Sequence, residues 1–182
     1  GLVYTTSRDS AKAIEREATW IGQSFYDIYY TSKGSSTSGS KAATAEEGSA
    51  EKLAGNWSKP KSVLGDGNTK YHDGPVCFTE DEGTTYFTRN NYKVQGAFNK
   101  WGKSSDNVIK LKMYEAKVNG DKWTDIKDFA YNNDEYSVGH PALSKGDSLL
   151  YFVSDMPGGY GGTDLYVCKR EGSSWGSPEN LG

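Results

Sequence analysis

The chain has 182 residues, and its 21 basic and 24 acidic side chains give a net charge of −3. This balance provides no electrostatic basis for binding nucleic acid or an anionic membrane. The chain also lacks a run of the roughly 20 apolar residues that a membrane-spanning helix requires. Its 13 Tyr, 5 Trp and 6 Phe favour pleated strands, and its 22 Gly favour turns, so an all-β fold is predicted.

The first third of the chain combines short strand patterns with two polar stretches. Strands are expected at 2–6, around 27–30 and between 56 and 65. Residues 9–20 are polar and are expected to form a loop insertion. Residues 32–55 are rich in Ser, Gly, Ala and Lys, and such a segment buries too little apolar surface to offset its ordering entropy.

The middle third shows four strand patterns in sequence. They lie at 74–78, 84–88, 108–116 and 122–130. The acidic segment 80–83 predicts a turn between the first two strands, and Asn119-Gly120 predicts a tight turn between the last two. Residues 89–107 are expected to form the loop between the second and third strands.

The final segment, Gly139 to Gly182, repeats this plan more compactly. Strands are expected at 139–144, 149–153 and 164–170, and Ser174-Trp175 opens a fourth. A glycine-rich loop at 156–163 joins the second strand to the third. The segment therefore has the pattern of one complete four-stranded unit.

Alignment of the three segments indicates an internal repeat. The second strands align as LVYTTSR from Leu2, TYFTRNN from Thr85 and LYFVSDM from Leu150. The third strands align on Tyr29, Tyr114 and Tyr166, the fourth on Trp57, Trp123 and Trp175, and the closing pairs are Leu64-Gly65, Phe129-Ala130 and Leu181-Gly182. First strands align on Pro75 and Pro141. The same interval separates the aligned Tyr and Trp in the second and third copies, which supports a common unit.

The second strand of the last copy is apolar on both faces. Leu149 to Val153 reads LLYFV, without the apolar–polar alternation of a strand that faces solvent on one side. Such a strand needs a sheet packed against each face, and a propeller blade between two neighbouring blades satisfies that need. The recurrent Trp residues are expected to pack between blades.

The segment HPALSKGDSLLYFVSDMPGGYGGTDLYVCKREGSSWGSPENLG resembles the WD40-like β-propeller repeat (PD40, TolB-like). It is most similar to repeats of Bacteroidetes OmpA-family outer-membrane-associated proteins, including the PorE-type component of type IX secretion. The resemblance is strong over 139–182, clear over 74–130 and weaker over 2–65. It implies a periplasmic, outer-membrane-associated propeller that binds other protein subunits of an envelope assembly. It implies peptidoglycan contact only through a neighbouring domain, and it carries over no catalytic residue.

These observations predict three blades of four antiparallel strands, at 1–65, 66–130 and 131–182, with the first blade lacking its first strand. Since propellers use about four to eight blades, we expect the chain to be part of a larger propeller of five to seven blades. Two alternatives to a protein-interaction scaffold stay open. One is a propeller that binds glycan or peptidoglycan, and the other is the accessory propeller of a hydrolase.

Patterns for chemistry are weak throughout the chain, so no enzyme activity, no catalytic residue, no metal and no cofactor is predicted. His72 has no Cys or His at ligand spacing, and His140 is expected to play a structural role at a blade edge. Glu80-Asp81-Glu82 leaves calcium as a minor alternative to a solvated turn. Cys77 and Cys168 are expected to be buried thiols, with a disulfide as the alternative.

Aromatic residues in the loops between second and third strands are the best candidates for binding. The strongest candidates are Tyr92, Trp101 and Tyr160, accompanied by Trp20, Tyr26 and Phe98. Exposed aromatics often anchor protein interfaces, although these side chains could equally fold back over their own blade.

Overall fold

The computed structural model describes residues 1–6, 26–33, 57–69, 71–91 and 104–182, and the backbone pairing of 17–18 with 23–24. The described residues form β-strands joined by turns, with one three-residue 3₁₀ turn at Lys145–Asp147 and no α-helix. The predicted all-β class is therefore confirmed.

Three antiparallel sheets follow one another along the chain. The first contains β1 (Leu2–Thr6), β4 (Asp27–Thr31) and β5 (Lys61–Ser62), and a separate two-stranded pair contains β2 (Glu17–Ala18) and β3 (Gln23–Ser24). The second contains β7 (Asp73–Phe78), β8 (Thr84–Asn90), β9 (Leu111–Asn119) and β10 (Lys122–Asp128), with β6 (Leu64–Gly65) running parallel to β10. The third contains β11 (Val138–Leu143), β12 (Leu149–Ser154), β13 (Asp164–Glu171), β14 (Ser174–Trp175) and β15 (Glu179–Asn180).

The aligned aromatic residues occupy the same place in all three sheets. They form the directly opposed cross-strand pairs Tyr4–Tyr29, Phe87–Tyr114 and Phe152–Tyr166. The ring centroids of these pairs are 6.3, 5.8 and 5.7 Å apart, and each pair is stacked. Offset aromatic pairs of this kind stabilise a sheet beyond their buried area. The alignment of second and third strands is thus confirmed at the level of strand register.

The first strands of the second and third sheets share a β-bulge. The pairing of β7 with β8 shifts by one residue between Asp73 and Val76, and that of β11 with β12 shifts between Gly139 and Ala142. Both bulges surround the aligned prolines, which lack the N–H group that a regular ladder uses. His140 lies inside the second bulge, where its φ is 57° and its N–H donates to Thr88 Oγ1 over 2.8 Å.

A hydrophobic core lies between each pair of neighbouring sheets. One core joins the first and second sheets through Ile28, Val63, Phe87, Tyr114, Ala116 and Trp123. The other joins the second and third sheets through Tyr86, Met113, Phe129, Val138, Leu150, Phe152, Tyr166 and Cys168. Neighbouring residues of β8 and β9 point into different cores, so the second sheet is apolar on both faces, as the repeat pattern predicts.

The other face of the third sheet is only partly covered. Leu150 and Phe152 are fully buried against the second sheet, whereas Leu149, Tyr151 and Val153 are half-buried on the opposite face. Among the described residues no further sheet packs there. Of the two apolar faces of β12, only one is covered by another described sheet.

The recurrent tryptophans face the preceding sheet where one exists. Trp123 is 2% exposed in the core between the first two sheets, and the Trp175 ring meets the Tyr86 ring of the second sheet edge-on. Packing between sheets is confirmed for these two. Trp57 is 44% exposed because no described residue places a sheet in front of it.

One aligned closing residue is shifted by a position. The N–H groups of Phe129 and Leu181 donate to the carbonyls of Met113 and Leu165, and in the first sheet Val63 makes the equivalent bond to Ile28. Val63 is buried, whereas Leu64 is 54% exposed and belongs to β6. The prediction that Leu64 matches Phe129 was therefore wrong by one residue.

Candidate functional site

The loop between β12 and β13 carries the most exposed large hydrophobic side chain of the described residues. Tyr160 is 87% exposed, so it does not fold back over its own sheet. Tyr26, at the same end of the first sheet, is 41% exposed. The other predicted aromatics, Trp20, Tyr92, Phe98 and Trp101, lie outside the described residues.

A buried carboxylate holds the Tyr160 loop. Asp164 is 6% exposed, and its two oxygens accept the N–H groups of Tyr160 over 2.7 Å and Gly161 over 3.0 Å. The side-chain amide of Asn180 donates to the same carboxylate over 3.1 Å. The loop backbone is therefore fixed while the Tyr160 side chain points into solvent.

Gly159 is required by the close approach of this carboxylate. A Cβ built on Gly159 would lie 2.0 Å from Asp164 Oδ2, whereas one on Gly162 would meet nothing within 4 Å. We therefore expect Gly159→Ala to displace Asp164 and release the loop, and Gly162→Ala to leave it in place. Hydrogen exchange of the Tyr160 and Gly161 amides should accelerate in the first variant only. Equal protection in both variants would contradict the assigned role of Asp164.

Charged residues surround the second sheet at the same end. Lys112 Nζ lies 2.6 Å from Asp134 Oδ1, and the N–H and hydroxyl of Ser105 donate to Glu135. These hydrogen bonds hold the pKa values of Asp134 and Glu135 below their ordinary range. Both carboxyls are ionised at neutral pH, and their contacts should weaken only as the pH falls below the ordinary carboxyl pKa of about 4.

His72 and the two cysteines have structural roles. His72 Nδ1 accepts the Tyr26 N–H over 3.1 Å, and burial lowers the pKa of His72, which keeps the ring neutral. Burial raises the pKa of Cys77 to about 12 and that of Cys168 to about 11. Both thiols are free in the structure and lie in the core between the second and third sheets, in line with buried thiols rather than a disulfide.

The acidic turn before β8 joins two sheets. Glu80 Oε1 accepts the Gly146 N–H over 2.8 Å, and Asp147 Oδ2 accepts the Glu80 N–H over 3.0 Å. The Asp81 carboxylate accepts the Thr79 hydroxyl and the Gly83 N–H within its own turn. Over the described part of the chain, no three His, Cys, Asp or Glu side chains are grouped so that they could hold a metal ion.

Two clefts open between neighbouring sheets at the end opposite the Tyr160 loop. The cleft between the first and second sheets, of about 540 Å³, is lined mainly by apolar residues, including Leu2, Val3, Tyr30, Val63, Val118 and Trp123. The cleft between the second and third sheets, of about 460 Å³, is lined by Tyr86, Glu115, Lys117, Lys127, Asp128, Phe129, Arg170 and Trp175. We call the latter the polar cleft.

Sequence reasoning did not identify Asp164 or the polar cleft. The glycine run at 158–162 indicated a loop but not the carboxylate that anchors it. The repeat alignment contains a difference that could have predicted the cleft. Counted from the aligned tyrosines, Val118 of the second copy corresponds to Arg170 of the third. A charged residue that replaces an apolar one at an equivalent strand position is the pattern that could have revealed it.

No helix of the described residues is long and apolar enough to cross a bilayer. Comparison of the chain with protein-family models, with curated proteins and with solved structures found no match.

Proposed function

We propose that the chain forms three consecutive blades of a larger β-propeller, at 1–65, 66–130 and 131–182. The support is the recurrence of one strand order, one stacked aromatic pair and one inter-sheet Trp position in successive sheets. The half-buried apolar residues on the outer face of the third sheet suit a position next to a further blade.

We further propose that this propeller is a non-enzymatic scaffold that binds a protein partner through the loop end containing Tyr160. The observation that carries this proposal is an 87% exposed aromatic side chain on a loop whose backbone is fixed by Asp164. Interface hot spots are enriched in tyrosine, and a pre-fixed loop reduces the ordering cost of binding. The periplasmic, outer-membrane-associated setting and the link to type IX secretion rest on the repeat's resemblance to envelope propellers.

The test uses the full chain immobilised as bait for a cross-linked envelope extract, with captured proteins quantified by mass spectrometry. Tyr160→Ala should lower recovery of a specific partner about tenfold or more. Tyr160→Phe should retain much of it, and Lys145→Ala, at the opposite end of the third sheet, should retain all of it. Recovery that is the same for Tyr160→Ala and wild type would overturn the assignment of the loop end as the interface.

A parallel sedimentation assay with purified peptidoglycan sacculi separates the scaffold from the glycan-binding alternative. A protein scaffold should stay in the supernatant. Sedimentation that depends on Tyr160 would instead identify the loop end as a glycan site, with the exposed ring as the platform for a sugar.

A further inference from the structure

The polar cleft lies between the second and third sheets, at the position that the mainly apolar cleft occupies between the first and second sheets. The two clefts differ in the polarity of the residues that line them. In the first sheet Val3 pairs with Tyr30, and at the equivalent place in the second sheet Tyr86 pairs with Glu115. The apolar version of this junction also joins two sheets, through the hydrophobic core around Trp123. Joining two sheets therefore does not require the polar residues of the second version.

The polar residues form one connected group. The Trp175 Nε1–H donates to Tyr86 Oη over 3.3 Å, and the Tyr86 hydroxyl donates to Glu115 Oε2 over 3.0 Å. The Arg170 guanidinium carbon lies 4.3 Å from the centre of the Trp175 ring. Burial raises the pKa of Tyr86, so its hydroxyl stays a neutral donor. These contacts fix the orientation of the cleft wall before any ligand arrives.

Arg170 has hydrogen-bonding capacity that the surrounding described residues do not use. Its Nε–H donates to the carbonyl of Asp147 over 2.7 Å, while its two Nη groups have no hydrogen-bond partner in the described part of the chain. Lys117 and Lys127 also line the cleft, as do the carboxylates of Glu115 and Asp128, and Lys127 is paired with Asp125 over 3.2 Å. The cleft thus presents a fixed guanidinium fork beside Lys117, and neither of these two cations forms an ion pair with a described residue.

We propose that the polar cleft binds a carboxylate group of an acidic peptide segment. The paired Nη groups of Arg170 match the two oxygens of a carboxylate, which is the strongest geometry for such a contact. Lys117, which makes no ion pair with a described residue, attracts an adjacent acidic residue of the same peptide. A sugar is disfavoured because Arg170 already covers one face of the Trp175 ring. This site lies at the end opposite Tyr160 and does not depend on the scaffold interface proposed there.

The test is a titration of the uniformly ¹⁵N-labelled full chain, followed through the indole N–H resonance of Trp175. The probe is an acetylated and amidated tetraglutamate peptide. Tetraglutamine, equal in length but uncharged, and tetragalacturonate, a carboxylate-bearing sugar chain, are the comparison ligands. We expect saturable movement of the Trp175 resonance with tetraglutamate alone.

Three variants test which side chains bind the carboxylate. Arg170→Gln should raise the dissociation constant for tetraglutamate about tenfold or more, since a bidentate charge-assisted contact is lost. Lys59→Gln, an equal charge change at an exposed position just before β5, should leave it within about twofold at moderate salt. Glu115→Gln retains an oxygen that accepts the Tyr86 hydroxyl and removes a negative charge, so it should tighten binding.

The proposal is overturned if tetraglutamate does not move the Trp175 resonance, or if Arg170→Gln and Lys59→Gln weaken binding equally. A response to tetraglutamine of the same size would show that the carboxylate is irrelevant. A response to tetragalacturonate as large as the response to tetraglutamate, or larger, would overturn the peptide assignment.

Discussion

Replacing Asp73 with Ala is expected to lower the free energy of unfolding by about 3–5 kcal/mol. Asp73 and Arg89 form an ion pair whose side chains are 0% and 1% exposed. Arg89 also donates to the carbonyls of Asp66 and Gly67 and lies over the Phe87 ring. Removing the carboxylate takes away the counter-charge that Asp73 supplies to the buried guanidinium, and breaking a buried ion pair at one partner is costly. Urea unfolding followed by tryptophan fluorescence measures the change.

The chain provides a matched control for this variant. Lys127 and Asp125 form an ion pair whose side chains are both 57% exposed. Asp125→Asn removes the charge and keeps a side chain that tolerates the φ of 54° at this position. It should change stability by less than about 1 kcal/mol, because exposed pairs contribute little. The double variant Asp73→Leu/Arg89→Met removes both charges together and should recover part of the loss, since the carbonyls of Asp66 and Gly67 still lose their donor. Equal destabilisation by Asp73→Ala and Asp125→Asn would show that the buried pair has no special role.

Trp123→Ala should destabilise the chain by about 3–5 kcal/mol, as expected for truncation of a large buried aromatic side chain. The Trp123 ring is 2% exposed and contacts the rings of Phe78 and Phe87 at centroid distances of 5.8 and 5.4 Å. Its six-membered ring also lies against Gly67, where an added Cβ would be 3.1 Å from a ring carbon. The cavity would thus open between the first two sheets. The midpoint of thermal unfolding reports the loss.

The aligned residue Trp57 serves as the comparison for Trp123. Trp57 is 44% exposed, so Trp57→Ala should change stability by no more than about 0.5 kcal/mol. The two variants remove the same side chain from equivalent repeat positions, and they differ only in whether a sheet covers it. A large effect of Trp57→Ala would mean that Trp57 is covered in solution.

Much of the fold could be predicted because the repeat supplies the same information three times. Tyr29, Tyr114 and Tyr166 each mark the same position in a third strand. Because one face of each strand is buried, the strand can pair with its neighbour in only one register. The position of Trp123 and Trp175 between sheets followed from the two-faced apolar strands. By contrast, Leu64 and its neighbour Val63 are both aliphatic, so the pattern did not distinguish the buried residue from the exposed one.

The polar interior could not be predicted from the sequence. Asp73 and Arg89 lie just outside the strands predicted at 74–78 and 84–88, and charged residues are rarely fully buried. The role of Asn132 was not predicted either. Its side-chain amide accepts the Met113 N–H and donates to the Met113 carbonyl, as the backbone of a neighbouring strand would. Asn68 does the same for Ile28. A single asparagine in a polar connector gives no indication of such a partner.

The second sheet contributes residues to both hydrophobic cores, and this sharing has a consequence for the order in which the molecule opens. Either outer sheet can detach at the expense of one core, whereas the second sheet can leave only when both are lost. Local unfolding should therefore begin at the outer sheets and reach β8 and β9 last. The most slowly exchanging amides are expected on Tyr86, Phe87, Met113 and Tyr114.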